Sequence, residues 1–176
     1  MIHLITVSGK SASRFFLKPE YMADFSSLIS SVTSERLFMI STRFRSDLFY
    51  KCETACHESV IKLWALYAGI VPTVADLCDI KILDGDEASL SGYFESLNTL
   101  SANWYQYDTY RKVFTISYSP DNPVAETIAR CDKHLVKMPC IKRPSLVYDT
   151  GKARTMISLD TMKVAMHMVN DRSHAN

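Results

Sequence analysis

Apolar residues along this chain fall into short runs whose period changes from segment to segment, and the period assigns most elements. Residues 2–7 ("IHLITV") form a mainly apolar run, as a buried strand does. Pro19 suits a first helical turn, and Met22, Phe25, Leu28 and Ile29 then recur at helical spacing. Residues 37–41 ("LFMIS") read as a second strand. A long amphipathic helix is expected over residues 46–68. Ser46-Asp47 supply its cap, Leu48, Cys52, Cys56, Val60, Leu63 and Tyr67 its stripe, and Gly69 its stop.

The second half continues the alternation. Residues 78–84 ("CDIKILD") predict a strand, and residues 86–103 a helix in which Gly92 is a weak point. Residues 113–119 ("VFTISYS") alternate and are rich in β-branched and aromatic types, so they predict another strand. Asn122-Pro123 opens a helix to about residue 134. A hairpin is expected around Asp149-Thr150-Gly151, a helix over residues 159–169, and a frayed tail over 171–176. The order implies an α/β (or α+β) protein. Its expected core is one mixed sheet of five to six strands with helices packed on it, in one domain spanning 1–170.

Composition narrows the picture. Hydrophobic residues make up 47% and charged residues 22%, which excludes a disordered chain. Net charge is +1, so no global field recruits nucleic acid or a membrane. The charge is unevenly spread, acidic over 76–108 and basic over 130–163. The five cysteines are an odd number without a secretory signal, so reduced thiols and a cytoplasmic location are expected. The most apolar stretch, "LWALYAGIVPTV", is too short to span a bilayer, so no membrane partner is expected.

Candidate chemistry begins at "VSGKSAS". Gly-Lys-Ser after a strand is the tail of a phosphate-binding loop, but the first glycine of G-x-x-x-x-G-K-[ST] would fall on Leu4, inside the strand. Ser8, Gly9, Lys10 and Ser11 therefore form only a polar strand-end turn, where a ligand could sit if the sheet is open there; for a phosphate-bearing substrate, Arg43 and Arg45 would be the cationic clamps. Cys52, Cys56 and His57, with Cys131 and His134, have ligand-like spacing. Two of these cysteines fall on the apolar stripe of the expected helix, so core thiols are the simpler reading and no metal or cofactor is expected. The acids Asp84, Asp86 and Glu87 read as a solvated turn before a helix rather than a cation site.

Two stretches mix bases with aromatics. One is "STRFRSDLFYK". The other contains Trp104, Tyr105, Tyr107, Tyr110 and Arg111, residues typical of interface anchors or of single-strand stacking platforms. Met168, off the apolar stripe of the last helix, is a further interface candidate. "CIKRPS" (140–145) adds a basic end to the expected hairpin. With no signature of a nucleophile, metalloprotease or kinase, no catalytic residue can be assigned. The function expected is that of a small binding protein that recognises a protein partner or self-assembles. The alternatives are an enzyme acting on a nucleotide or other phosphate-bearing substrate, and a nucleic-acid-binding domain.

Overall fold

The computed structural model describes residues 1–33 and 37–148. The expected hairpin around residue 150, the last helix with Met168, and the tail lie outside the described residues.

Four strands form one antiparallel sheet in the order β2-β3-β1-β4: β1 (Ile2–Ser8), β2 (Phe38–Ser41), β3 (Arg45–Lys51) and β4 (Ile80–Asp84). Side chains alternate across a strand, so each strand sends its apolar residues to two faces. One face carries Ile5, Val7, Met39, Leu48 and Tyr50. It is covered by α1 (Gly9–Arg14), α2 (Pro19–Thr33) and α3 (His57–Tyr67), through Ala12, Phe25, Ile29, Val60 and Trp64. The other face carries Ile2, Leu4, Phe38, Ile40 and Phe49. It meets α5 (Asp86–Ser101), α6 (Trp104–Ser117) and α7 (Pro123–Leu135), through Tyr93, Leu97, Tyr110, Phe114, Val124 and Ile128. The result is a sheet between two helical layers. A short α4 (Val74–Cys78) leads into β4.

The α+β class, the strands near 2–8 and 37–41, and the helices from Pro19, Asp86 and Pro123 agree with the sequence pattern. Gly92 is no defect in α5. A Cβ there would lie 2.4 Å from Leu83 Cδ1, so with glycine the helix packs on β4 without displacing the end of that side chain.

Three expectations are corrected. The sheet has four described strands rather than five to six, and it is wholly antiparallel rather than mixed. The helix expected over 46–68 begins only at His57, because residues 45–51 form β3, paired with β1 on one side and β2 on the other. Leu48 and Cys52 fit a helical stripe, but Asp47, Phe49 and Tyr50 are also buried, and a strand inside a two-faced sheet buries both sets. The strand expected over 113–119 is the end of α6. Asn103 caps that helix by accepting from Gln106 N, and Tyr107, Tyr110 and Phe114 then face the sheet at steps of three and four.

One buried polar cluster ties these layers together. Asp47, fully buried on β3, accepts from Arg45 Nε at 2.6 Å, Arg45 Nη2 at 2.9 Å, Thr6 Oγ1 at 2.7 Å and the Tyr110 hydroxyl. Arg45 Nη2 also donates to Ser96 Oγ of α5 at 2.7 Å. Burial works against the Arg45 charge, but the adjacent Asp47 carboxylate outweighs it and holds the guanidinium above its ordinary pKa. Burial also pushes the Tyr93 and Tyr110 hydroxyls well above theirs, so both stay protonated and able to donate. A second such pair anchors the end of the described chain. Buried Asp132 of α7 accepts from Arg143 Nη1 at 2.6 Å, Ser145 Oγ at 2.7 Å and Leu146 N at 2.7 Å.

Removing one partner of a buried ion pair leaves the other charge uncompensated. Asp47→Ala is therefore expected to destabilise the fold by about 3–5 kcal/mol. Tyr110→Phe, which leaves the pair intact, should cost about 1–3 kcal/mol. Urea unfolding followed by circular dichroism measures both, and an Asp47→Ala loss no larger than that of Tyr110→Phe would contradict this ranking.

Candidate functional site

The outer edge of β2 has no further strand among the described residues. Open edges invite unwanted pairing, and here α2 and α6, from opposite layers, wall the edge on either side. Between them runs a cleft of about 780 Å³. Its floor is Leu17, Leu37, Phe38 and Met39. Met22, Ala23 and three serines of α2 (Ser26, Ser27, Ser30) form one wall, and Val113, Ile116 and Ser117 of α6 the other. Asn122 closes one end, capping α7 through its Oδ1 while its Nδ2 donates to Leu37 O at 2.9 Å. Among the described residues, none that lines the cleft carries a charge. Among the described residues the lining serines have no histidine, acid or lysine beside them in the cleft, so none of these sets one up as a nucleophile. A neutral, mostly apolar wall with a few hydroxyls is suited to holding an apolar ligand rather than to reacting with one.

The phosphate expectation meets a different geometry. Ser8 ends β1 at the N-cap of α1, and Gly9 to Ser11 form the first turn of that helix instead of a free turn, with Gly9 at φ +66° where an L side chain would be strained. The Ser11 N–H, which a phosphate would need, donates to Asp79 Oδ2 at 3.3 Å. An acid thus occupies the helix entrance. The sheet is antiparallel, so the rule that places ligands at the carboxyl ends of parallel strands does not apply. Lys10 and Arg43 are exposed, Arg43 lying over the Phe16 ring at 5.4 Å, while Arg45 is locked inside the Asp47 cluster.

The aromatic stretch divides along the faces of α6. Trp104 and Tyr105 reach solvent, whereas Tyr107 and Tyr110 are core residues. Arg111 stacks on Tyr148 with 4.1 Å between the guanidinium carbon and the ring centroid. Arg143 of the basic "CIKRPS" stretch is buried against Asp132. A continuous array of exposed aromatics and cations is therefore not formed by these residues.

The candidate ligands regroup as well. Cys52 follows β3 and Cys56 is the N-cap of α3, so they share no helical stripe, and all five cysteines are free thiols. His57, the first residue of α3, joins Asp84, the last of β4, and His3 of β1. Sheet register sets His3 opposite Asp84 on one side and opposite Tyr50 on the other. His3 Nδ1 lies 2.6 Å and His57 Nε2 2.8 Å from the same oxygen, Asp84 Oδ1. The His3 hydrogen bond, burial working against it, and the two imidazoles hold the Asp84 carboxyl below its ordinary range. No spacing rule links residues 3, 57 and 84. The only signal in the sequence was that His57 and Asp84 each belonged to a candidate set with other partners. Asp86, from the same acidic cluster as Asp84, instead accepts from Ile2 N at 2.6 Å.

No helix among the described residues is long and apolar enough to cross a membrane. No protein-family model, no curated protein and no solved structure matches this chain.

The start of α4, beside α1, carries a pH-sensitive contact. Asp76 accepts from Thr73 N at 2.7 Å, from Thr73 Oγ1 at 2.7 Å and from Arg14. The Thr73 hydrogen bonds lead in lowering its pKa to about 2, with Ser11 and Arg14 adding to the effect and burial opposing it. A depressed carboxyl pKa stabilises the fold above the unfolded value of about 3.9 and loses that contribution as pH falls. Stability should therefore decline between about pH 4 and about pH 2. Asp76→Asn should flatten the curve in that window, and an unchanged slope in acid titration of the variant would show that Asp76 is not its source.

Proposed function

We propose that this protein is a binding protein whose β2-edge cleft holds a neutral, largely apolar ligand of small-molecule size. One observation carries the reading: a cleft of about 780 Å³, within the range of ligand pockets, is lined among the described residues by apolar side chains, hydroxyls and one amide, with no charged side chain. A phosphate-bearing substrate or a nucleic acid would call for cations there, and acid–base catalysis would call for a titratable group. Met22 and Met39 give the lining adaptable surfaces, and the α2 serines can orient a ligand's polar end.

A second reading, self-association through the same rim, is favoured by Ile116. This residue lines the cleft yet is 83% exposed, so apolar surface extends beyond the cavity. It predicts concentration-dependent dimers in sedimentation that Ile116→Ser abolishes.

The ligand reading is tested with Nile red, a neutral apolar dye. Wild-type protein should bind it saturably at one site. Ala23→Trp and Ser27→Trp place bulk into the cleft from exposed helix positions, where substitutions usually change stability by only about 0.5 kcal/mol. Each should weaken dye binding at least about tenfold, the equivalent of about 1.4 kcal/mol. Undiminished binding by both folded variants would refute the cleft as the site.

A further inference from the structure

Apart from the cleft, we propose that His3, His57 and Asp84 form a binding site for one divalent transition-metal ion of the zinc class. The three side chains each offer one ligand atom, and these atoms lie within 4.8 Å of one another. Two imidazoles and a carboxylate are a donor set that zinc and its neighbours favour.

The hydrogen bonds behind the ligands strengthen the case. His3 Nε2 lies 3.2 Å from the Cys52 carbonyl oxygen, which can only accept, so Nε2 carries the proton. In neutral His3 the bare lone pair is then on Nδ1, aimed at Asp84 Oδ1 across 2.6 Å. His57 Nδ1 lies 2.8 Å from the Tyr50 hydroxyl, which also accepts from Cys56 N at 3.3 Å. With the proton on Nδ1 and donated to Tyr50, His57 presents a bare Nε2. That nitrogen is buried and makes no hydrogen bond, although Asp84 Oδ1 is 2.8 Å away, off the line a hydrogen bond needs. In these tautomers two lone pairs and a carboxylate oxygen point at one another and call for a cation among them; without a metal, a proton on His3 Nδ1 donated to Asp84 Oδ1 plays that part. Each imidazole has its distal nitrogen fixed by an outer group, as metal-binding histidines do.

The fit needs little movement. With metal–ligand bonds of 2.0–2.2 Å, tetrahedral ligand atoms stand roughly 3.3 Å apart, so the carboxylate must withdraw by less than about 1 Å, and any separation of the two imidazole nitrogens beyond that value, at most 4.8 Å, must close. Asp84 can do so, since its side chain is 52% exposed while that of His3 is 2% exposed. The same exposure leaves the remaining coordination position facing solvent. Three protein ligands with one open position describe a site able to take water or an exogenous ligand. Cys52 and Cys56 contribute backbone groups to the outer shell rather than sulfur to the metal.

Cobalt(II) is the probe, because its visible bands report coordination, with zinc(II) competition and thermal unfolding as second readouts. Wild-type protein should bind one cobalt saturably, lose the bands to zinc, and melt at a higher temperature with zinc than without. Asp84→Ala and His57→Ala should abolish saturable binding and the zinc-induced shift. Tyr50→Phe should weaken binding about 10–100-fold. Cys52→Ser and Cys56→Ser should leave it intact. Circular dichroism checks folding, and Asp84→Ala, at a half-exposed position, keeps the test open if His57→Ala does not fold. The proposal is overturned if wild-type protein shows no saturable cobalt binding. The same holds if binding survives in folded Asp84→Ala, or if a thiolate charge-transfer band marks the bound metal.

Discussion

The Asp47 carboxylate is the constraint around which the sheet and its upper helical layer are arranged. A charge with no solvent contact is tolerable only when paired and fully hydrogen-bonded. Here the partners come from four elements or their neighbours: Arg45 on the same strand, Thr6 on β1, Tyr110 on α6 and, through Arg45, Ser96 on α5. Each helps to hold its element in register. Thr6 is opposite Asp47 in the β1–β3 ladder, so a one-residue slip would turn the hydroxyl to the wrong face. The cluster therefore specifies the pairing as well as contributing energy. It also explains why residues 45–51 are a strand. In a helix Arg45, two residues from Asp47, would point elsewhere, and the bidentate pair would be lost.

The two sites follow from the sheet built around that cluster. Among the described residues β2 ends the sheet on one side, and the helices that wall its edge belong to different layers, which opens a cleft with no charged side chain among them. β4 ends it on the other, where its last residue meets the start of β1 and of α3. The cleft is apolar because it continues both cores. The histidine–aspartate cluster is polar because it forms where strand ends and a helix start converge and solvent enters. The proposed binding of an apolar ligand at one edge and the proposed binding of a metal ion at the other draw on separate parts of the fold, so each can fail experimentally without the other.

Local patterns were informative wherever one period dominated. β1, β2, α2, α5 and α7 were all visible from apolar spacing, Pro19, and the Asn122-Pro123 cap. Residues 46–52 and 113–117 were misleading because each satisfies two periods. Leu48 and Cys52 are four apart, but Asp47, Phe49 and Tyr50 are buried as well. Val113, Thr115 and Ser117 alternate with Phe114 and Ile116, yet that stretch continues a helix already begun at Asn103. The burial of Arg45, Tyr107, Tyr110 and Arg143 was hidden for a related reason. Their types are usual on surfaces and at interfaces, and only a buried acid nearby, Asp47 or Asp132, draws the arginines and their neighbouring hydroxyls inside.

By itself the sequence determined the α+β class, most of the helix starts, and the incompleteness of the Gly-Lys-Ser motif. These depend on residues within a few positions of one another, through spacing, capping and turn chemistry. Tertiary structure alone decided which faces are shared. It placed Asp79 at the entrance to α1, brought α2 and α6 to either side of β2, and set His3, His57 and Asp84 around one point. Those juxtapositions arise from antiparallel register and layer packing, which act between residues tens of positions apart and leave no fixed spacing along the chain.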